Sequence, residues 1–250
     1  MPSLMGAGDH FASPRTESLP VSELFDSYRS SYAETIDGSI RFSGLKHDFF
    51  LVAKADLLRR LVAERGLRRR GAMVRALDVG CGVGSLHPYL EGAFERLDGC
   101  DVSQGSIQRA SEDNPGVVYR TCTTTSLPYD DCVFDLAFAS CVVHHVSPAS
   151  WLDFFREMRR VVRQGGVACI IEHNPYNPLT RLAVVRCPFD QDAVLLNAVT
   201  AAALFRQAGF REVRSEHFLL LPSAGGFARK VERALALLPL GAQYACSGLV

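Results

Sequence analysis

A chain of 250 residues with 48% hydrophobic content can bury one sizeable core, which excludes a disordered or fibrous protein and fits a single domain with appendages. Lys and Arg total 27 and so do Asp and Glu, so the net field draws neither nucleic acid nor an anionic membrane, and a small molecule is the expected partner. The cysteines (Cys81, Cys100, Cys122, Cys132, Cys141, Cys169, Cys187, Cys246) stand singly, mostly in apolar runs. Without a close pair at metal-ligand spacing they read as buried, reduced thiols of a cytoplasmic protein, and no metal site is expected.

Residues 1–20, punctuated by Pro2, Pro14 and Pro20, hold too few apolar groups to offset the entropy of ordering and read as a loose tail without the apolar segment of a signal peptide. From the N-cap Ser22, the residues Leu24, Phe25, Tyr28 and Tyr32 recur at helical spacing and predict a helix to about Glu34, followed by a Gly-bearing loop from Asp37 to Gly44. Leu45 to Arg65 carries Phe49, Phe50, Ala53, Leu57, Leu58 and Leu61 on one side and ends at Gly66, a long amphipathic helix. Residues 21–70 therefore read as a helical cap.

From Met73 the pattern changes. MVRALDV, LDGCDV, VVYRTC, VFDLAFA and VACIIE behave as strands buried on both faces. Helices separate them, one capped by Ser103 over QGSIQRASED, another from about Ala149 to Arg163 stopped by Gly165-Gly166. This alternation implies right-handed crossovers and a mostly parallel sheet with helices on both faces, the core spanning about Val74 to Glu172. Beyond it come a Pro-rich loop at Asn174 to Pro178, a helix near Ala201 to Ala208, a strand near Val213 to Leu221, a helix at about Phe227 to Leu238 and a final strand-like AQYACSGLV. Apolar stretches near the C-terminus are broken by charge or Pro, so no membrane-spanning segment is expected.

In ALDVGCGVGSL a buried strand passes into Gly80, Gly82 and Gly84 before a helix begins, and glycine there admits positive φ and lets a ligand lie against the backbone. A dinucleotide loop shares this place but wants G-x-G-x-x-G/A, and Ser85 follows Gly84. Asp78 at the strand end suits a positively charged ligand such as the methionyl part of S-adenosylmethionine. Asp101, at the tip of the second strand, is set to accept hydrogen bonds from ribose hydroxyls.

LDVGCGVGS, GCDVS, LPYDDCVFDLAFASCVVHHV and RRVVRQGGVACIIEHN, in that order, resemble the motifs of the class I S-adenosylmethionine-dependent methyltransferases. The resemblance implies a Rossmann-like fold with a mostly parallel seven-stranded sheet, helices on both faces and an N-terminal helical cap, residues 71–250 forming the cofactor-binding domain with substrate-side elements at its C-terminal end. It implies S-adenosylmethionine as cofactor, with Gly80, Gly82 and Gly84 beside the methionyl part, Asp78 near its ammonium, Asp101 on the ribose and Val102 on the adenine. Cys81 and Ser140 join that set by position in the motifs. The chain departs from the pattern where the third strand ends, with Thr123 and Thr124 in place of an Asp toward the adenine.

The function so implied is methyl transfer to oxygen or nitrogen of a small molecule in a biosynthetic pathway by in-line displacement. His144, His145 and His173 follow the fourth and fifth strands, at the carboxyl edge where open sheets bind ligands, and are candidate bases. His145 equally fits packing or capping the next helix, as an equivalent His does in relatives. Glu172, Asn174 and Tyr176 are candidate substrate contacts, as are the cap residues Tyr28, Tyr32, Phe42 and His47, whose spacing also fits ordinary helix packing. Arg181 and Arg186 read either as contacts to an anionic acceptor or as solvated side chains. A non-catalytic S-adenosylmethionine-binding subunit that scaffolds a partner enzyme remains the alternative.

Overall fold

In the computed structural model of the chain, the residues described are 31–67, 74–221 and 234–250, together with Glu23 and Lys230. The expected tail, most of the helix expected from Ser22, Tyr28, Met73 and much of the helix expected at 227–238 lie outside them.

Seven strands form one sheet: β1 (Arg75–Val79), β2 (Arg96–Asp101), β3 (Val118–Thr121), β4 (Phe134–Ser140), β5 (Val162–His173), β6 (Arg211–Phe218) and β7 (Gln243–Leu249). Their order is β3-β2-β1-β4-β5-β7-β6. All neighbours pair in parallel except β7, which runs antiparallel between β5 and β6. Alternation along the central strands divides the core between two faces. Leu77, Val79, Ala137, Ala139, Ile170 and Tyr244 pack with α4 (Trp151–Val161) and α6 (Ala198–Gln207). Ala76, Leu136, Phe138, Cys169, Ile171 and Ala245 pack under α2 (His47–Glu64). The remaining helices are α1 (Tyr32–Ile40), α3 (Gln104–Asp113) and α5 (Pro178–Arg186). Among the described residues no helix is long and apolar enough to cross a membrane.

Several expectations change on contact with the structure. The loop expected at 37–44 is mostly helix, α1 followed by a 3-10 turn at Arg41–Ser43. Gly38 inside a helix costs only about 1 kcal/mol, and the chain turns instead at Gly44, whose φ is +71°. No α-helix follows the glycine loop. Only a 3-10 turn at His87–Leu90 fits before Gly92, at φ +69°, redirects the chain. Gly165-Gly166 does not stop α4, because Val162 already pairs with Phe134 and the glycines form an irregularity inside β5, with Gly165 at φ +77°. β3 is a largely exposed edge strand, not one buried on both faces. The Pro-rich loop hands over to α5, where Pro178 occupies the first turn and the Asn177 side chain accepts from the backbone N–H of Leu179 and Thr180. The strand order reverses between β1 and β4, so their carboxyl ends diverge and leave a crevice.

Candidate active site

At the end of β1, Gly80 and Gly82 take φ of +75° and +53°. A Cβ at Gly80 would lie 2.6 Å from the Val142 methyls, and one at Gly84 would lie 2.8 Å from the Tyr119 hydroxyl, so these two glycines make room for protein. A Cβ at Gly82 would meet nothing within 4 Å. That open space belongs to a cavity of about 560 Å³ along the carboxyl edge of the sheet. Asp101 receives the Gly82 N–H at 2.8 Å on one oxygen and the Ser103 N–H at 2.9 Å on the other, which ties the tip of β2 to the loop. Burial raises the Asp101 carboxyl above its ordinary value, against those two N–H donors.

Asp78 is 2% exposed. Its Oδ2 accepts from His87 Nε2 at 3.0 Å, while Oδ1 is buried with no hydrogen-bond partner among the described residues. An orphaned carboxylate oxygen on a cavity wall suits a cationic ligand, since leaving it unmatched costs about 1–3 kcal/mol. The His87 ring is held in turn by Tyr119, whose hydroxyl lies 2.5 Å from Nδ1. Sequence reasoning missed this His87–Tyr119 brace, because nothing near His87 shows that the segment folds back under β1.

Further along the edge, the ends of β4 and β5 assemble a charged cluster. Glu172 accepts from the Val142 and Val143 N–H groups at 3.0 and 2.7 Å and from His144 Nδ1 at 2.5 Å. Asp190, in the 3-10 turn Pro188–Asp190, has one oxygen 3.4 Å from both His144 Nε2 and His145 Nε2. Burial opposes charge on His144, but Glu172 and Asp190 outweigh it and hold the imidazole well above its ordinary value. Burial together with the neighbouring His144 charge pushes His145 down to about 3. Cys141 sits at φ +58°, unusual for a residue with a side chain, and its Sγ receives the Lys54 ammonium at 3.2 Å. Burial works to raise that thiol, yet Lys54 and His173 bring it down to about 6. Lys54, Cys141 and Asp190 were not foreseen. Lys54 did leave a signal, standing one residue before Ala55 in the buried stripe of Leu51, Ala55 and Leu58.

The cavity wall brings together most of the residues singled out from the sequence: Asp78, Gly80, Cys81, Gly82, Asp101, Val102, Thr123, Thr124 and Ser140 on one stretch, His144, His145 and His173 on another, and Tyr32, Phe42 and His47 from the cap. Tyr32 stacks on Phe189 with ring centroids 5.2 Å apart, and Asp37 caps α2 by accepting the His47 N–H at 2.7 Å, so α1 and α2 close over the Asp190 turn. Four residues lie off the wall. Gly84 packs against Tyr119, and Glu172 is fully buried behind His144. Asn174 donates to the carbonyls of Pro239 and Gly241, and Tyr176 is 64% exposed. Arg181 and Arg186 are exposed, the Arg186 guanidinium lying over the Phe42 ring. The cysteines are unpaired, but Cys132 is exposed and Cys81, Cys122 and Cys141 are only partly buried at the level of the whole residue, unlike the uniform burial expected.

Comparison with known proteins gives this geometry relatives. Residues 77–170 match a family described as methyltransferase domain. The chain is 28% identical to an uncharacterized methyltransferase of Synechocystis over 163 residues, 63% of this chain and 74% of that protein. It is 32% identical to a malonyl-[acyl-carrier protein] O-methyltransferase of Hahella chejuensis over 140 residues, 52% of this chain, and so spans about half that enzyme's length, 49%. Among solved structures it is similar to a Thermotoga maritima protein described as an S-adenosylmethionine-dependent methyltransferase and possible histamine N-methyltransferase. The TM-score is 0.64 at 18% identity, covering 92% of this chain and 99% of that one.

Proposed function

Because the chain belongs to the class I S-adenosylmethionine-dependent methyltransferases, with S-adenosylmethionine as cofactor, we propose that it methylates an oxygen or nitrogen of a small-molecule acceptor in a biosynthetic pathway. One observation carries the reading. A single cavity joins Asp78, Gly82 and Asp101 to His145, His173 and the aromatic cap residues, so one space has room for cofactor and acceptor side by side. The cofactor, when bound, supplies an electrophilic methyl group on a sulfonium.

The residues present fit it. The unmatched Asp78 Oδ1 would take the ammonium of its amino-acid end, and the open face of Gly82 would let that end lie on the backbone. Asp101, whose oxygens have lone pairs beyond those used by Gly82 and Ser103, would accept from the ribose hydroxyls, and Val102, Thr123 and Thr124 would line the adenine. Tyr32, Phe42 and His47 would cover the acceptor and exclude water, which strengthens every charge interaction inside. Asp190 and Glu172 flank His144, whose Nδ1 proton goes to Glu172 and whose Nε2 faces Asp190, so it orients its neighbours and takes no proton from the acceptor. His145, on the same wall, is the candidate proton acceptor by position. The names of two relatives, an O-methyltransferase acting on a carrier-bound malonyl group and a possible histamine N-methyltransferase, support oxygen and nitrogen as acceptor atoms. Unpaired cysteines support a reducing compartment such as the cytoplasm.

The test is transfer of label from methyl-labelled S-adenosylmethionine to a panel of small alcohols, carboxylates and amines. A small labelled product is expected, and His145→Ala should lower its rate about 10²–10⁴-fold with S-adenosylhomocysteine affinity little changed. Label appearing only on a polypeptide or carrier protein would refute the small acceptor, and an unchanged rate in the variant would remove His145 from the chemistry.

A further inference from the structure

Where β4 and β5 end, one ring nitrogen each of His144 and His173 and a carboxylate oxygen of Asp190 lie within 4.8 Å of one another. We propose that these three side chains hold a single divalent transition-metal ion of the zinc class, with a fourth position turned to the cavity.

The donor set is the first argument. Two imidazoles and a carboxylate, with one site left open, make up the protein share of a catalytic zinc centre. Spacing is the second. His144 Nε2 and Asp190 Oδ1 are 3.4 Å apart, long for a hydrogen bond. Ligand bonds of about 2.0–2.1 Å at tetrahedral angles put neighbouring donors roughly 3.3–3.4 Å apart, which is the gap of this pair, with the His173 nitrogen within 4.8 Å of both. The third is the support behind the ring. His144 gives its Nδ1 proton to Glu172, which two backbone N–H groups hold in place, and this arrangement leaves Nε2 aimed at Asp190. A carboxylate behind a ligating histidine sets its tautomer and ring orientation, and here that carboxylate is fully buried and serves no other side chain in the cluster's hydrogen bonding. Charge is the fourth. Two buried or nearly buried carboxylates, Glu172 and Asp190, face three imidazoles whose rings crowd to centroid distances of 4.2 Å for His144–His145 and 5.1 Å for His144–His173. A dication would balance both acids without forcing protons onto rings that repel one another.

The site deepens the methyl-transfer reading and rests on it only for its use: an acceptor oxygen at the open position would lose its proton more readily. Metal binding itself can be measured without cofactor or acceptor, so the two readings fail separately.

The experiment takes the full chain, stripped with a chelator, and titrates it with zinc chloride by calorimetry and with cobalt chloride by visible absorption. One equivalent of zinc and an intense tetrahedral cobalt band are expected, with Asp190→Asn and His173→Ala each weakening zinc at least ~100-fold while S-adenosylhomocysteine affinity stays close to the parent. Absence of the cobalt band in the parent chain, which needs no variant to fold, overturns the proposal, as does zinc bound equally well by both variants. Zinc bound at one equivalent with no methyl transfer leaves this site standing and removes the reading of function.

Discussion

His47 shows how one residue carries both a stability and a site. It is 9% exposed at the head of α2, its backbone N–H is taken by Asp37, and burial followed by the nearby Lys54 charge pushes its imidazole from 6.5 down to about 4. The sign follows from linkage. Between pH 6.5 and about 4 the unfolded chain binds this proton and the folded one does not, so stability is fully present above 6.5 and is lost as pH falls through the window. At ~1.36 kcal/mol for each pH step the loss approaches about 3 kcal/mol by pH 4. Denaturant titrations of the parent from pH 7 to pH 4 should show that decline, and His47→Gln, which cannot take the proton, should flatten it by that amount. A variant with the parent's slope would mean that the ring is protonated in the fold. From the sequence His47 was legible as a residue of the helical cap over the site, and the partner that keeps it neutral was not, because Lys54 becomes its neighbour only through two turns of α2 and the cavity beyond.

An element can hide different duties behind identical letters, and the loop after β1 does so. The three glycines of GCGVG look equivalent in the sequence, all admitting positive φ beside a ligand, yet only Gly82 has open space where its Cβ would be. Gly80→Ala forces a methyl to 2.6 Å from Val142 at φ +75°, and strain with overpacking should cost about 2–4 kcal/mol. Gly82→Ala meets no protein atom, so at φ +53° only backbone strain of about 1 kcal/mol remains, while the new methyl should lower S-adenosylhomocysteine affinity roughly tenfold or more. Melting temperature and calorimetric affinity measured on both variants separate the two duties, and a Gly82 variant that binds as the parent does would move the cofactor off this backbone. Strand identities were legible because short apolar runs bounded by turn residues have few other uses. What followed the loop was not, since a helix is the usual successor and only packing of His87 under Asp78 replaces it with a 3-10 turn. Gly165-Gly166 misled for a related reason, a glycine pair marking a bulge as well as it marks a helix end.

At the scale of the molecule the sequence carries the alternation that builds a parallel sheet but not its order, and order is what makes the site. The reversal between β1 and β4 opens the crevice, and β7, inserted antiparallel between β5 and β6, brings Gln243 from the far end of the chain to the same wall as Tyr32. Asp190 reaches the cluster only through the turn after α5, with no signal in the letters around it. A ligand filling a cavity whose walls run from Tyr32 to Gln243 therefore contacts nearly every layer of the fold, and binding stabilises the whole. Ligand at 100 times its dissociation constant adds about 2.7 kcal/mol, which for a domain of this size is a rise in melting temperature of about 5–10 °C. S-adenosylhomocysteine should give that rise and NAD at the same concentration none. Because α1 and α2 close over the cavity, the same ligand should also slow tryptic cleavage at Arg41 and Lys46, exposed at the joint between them. A melting shift without protection there would mean that the cofactor is held by the sheet edge alone and that the cap answers only to the acceptor.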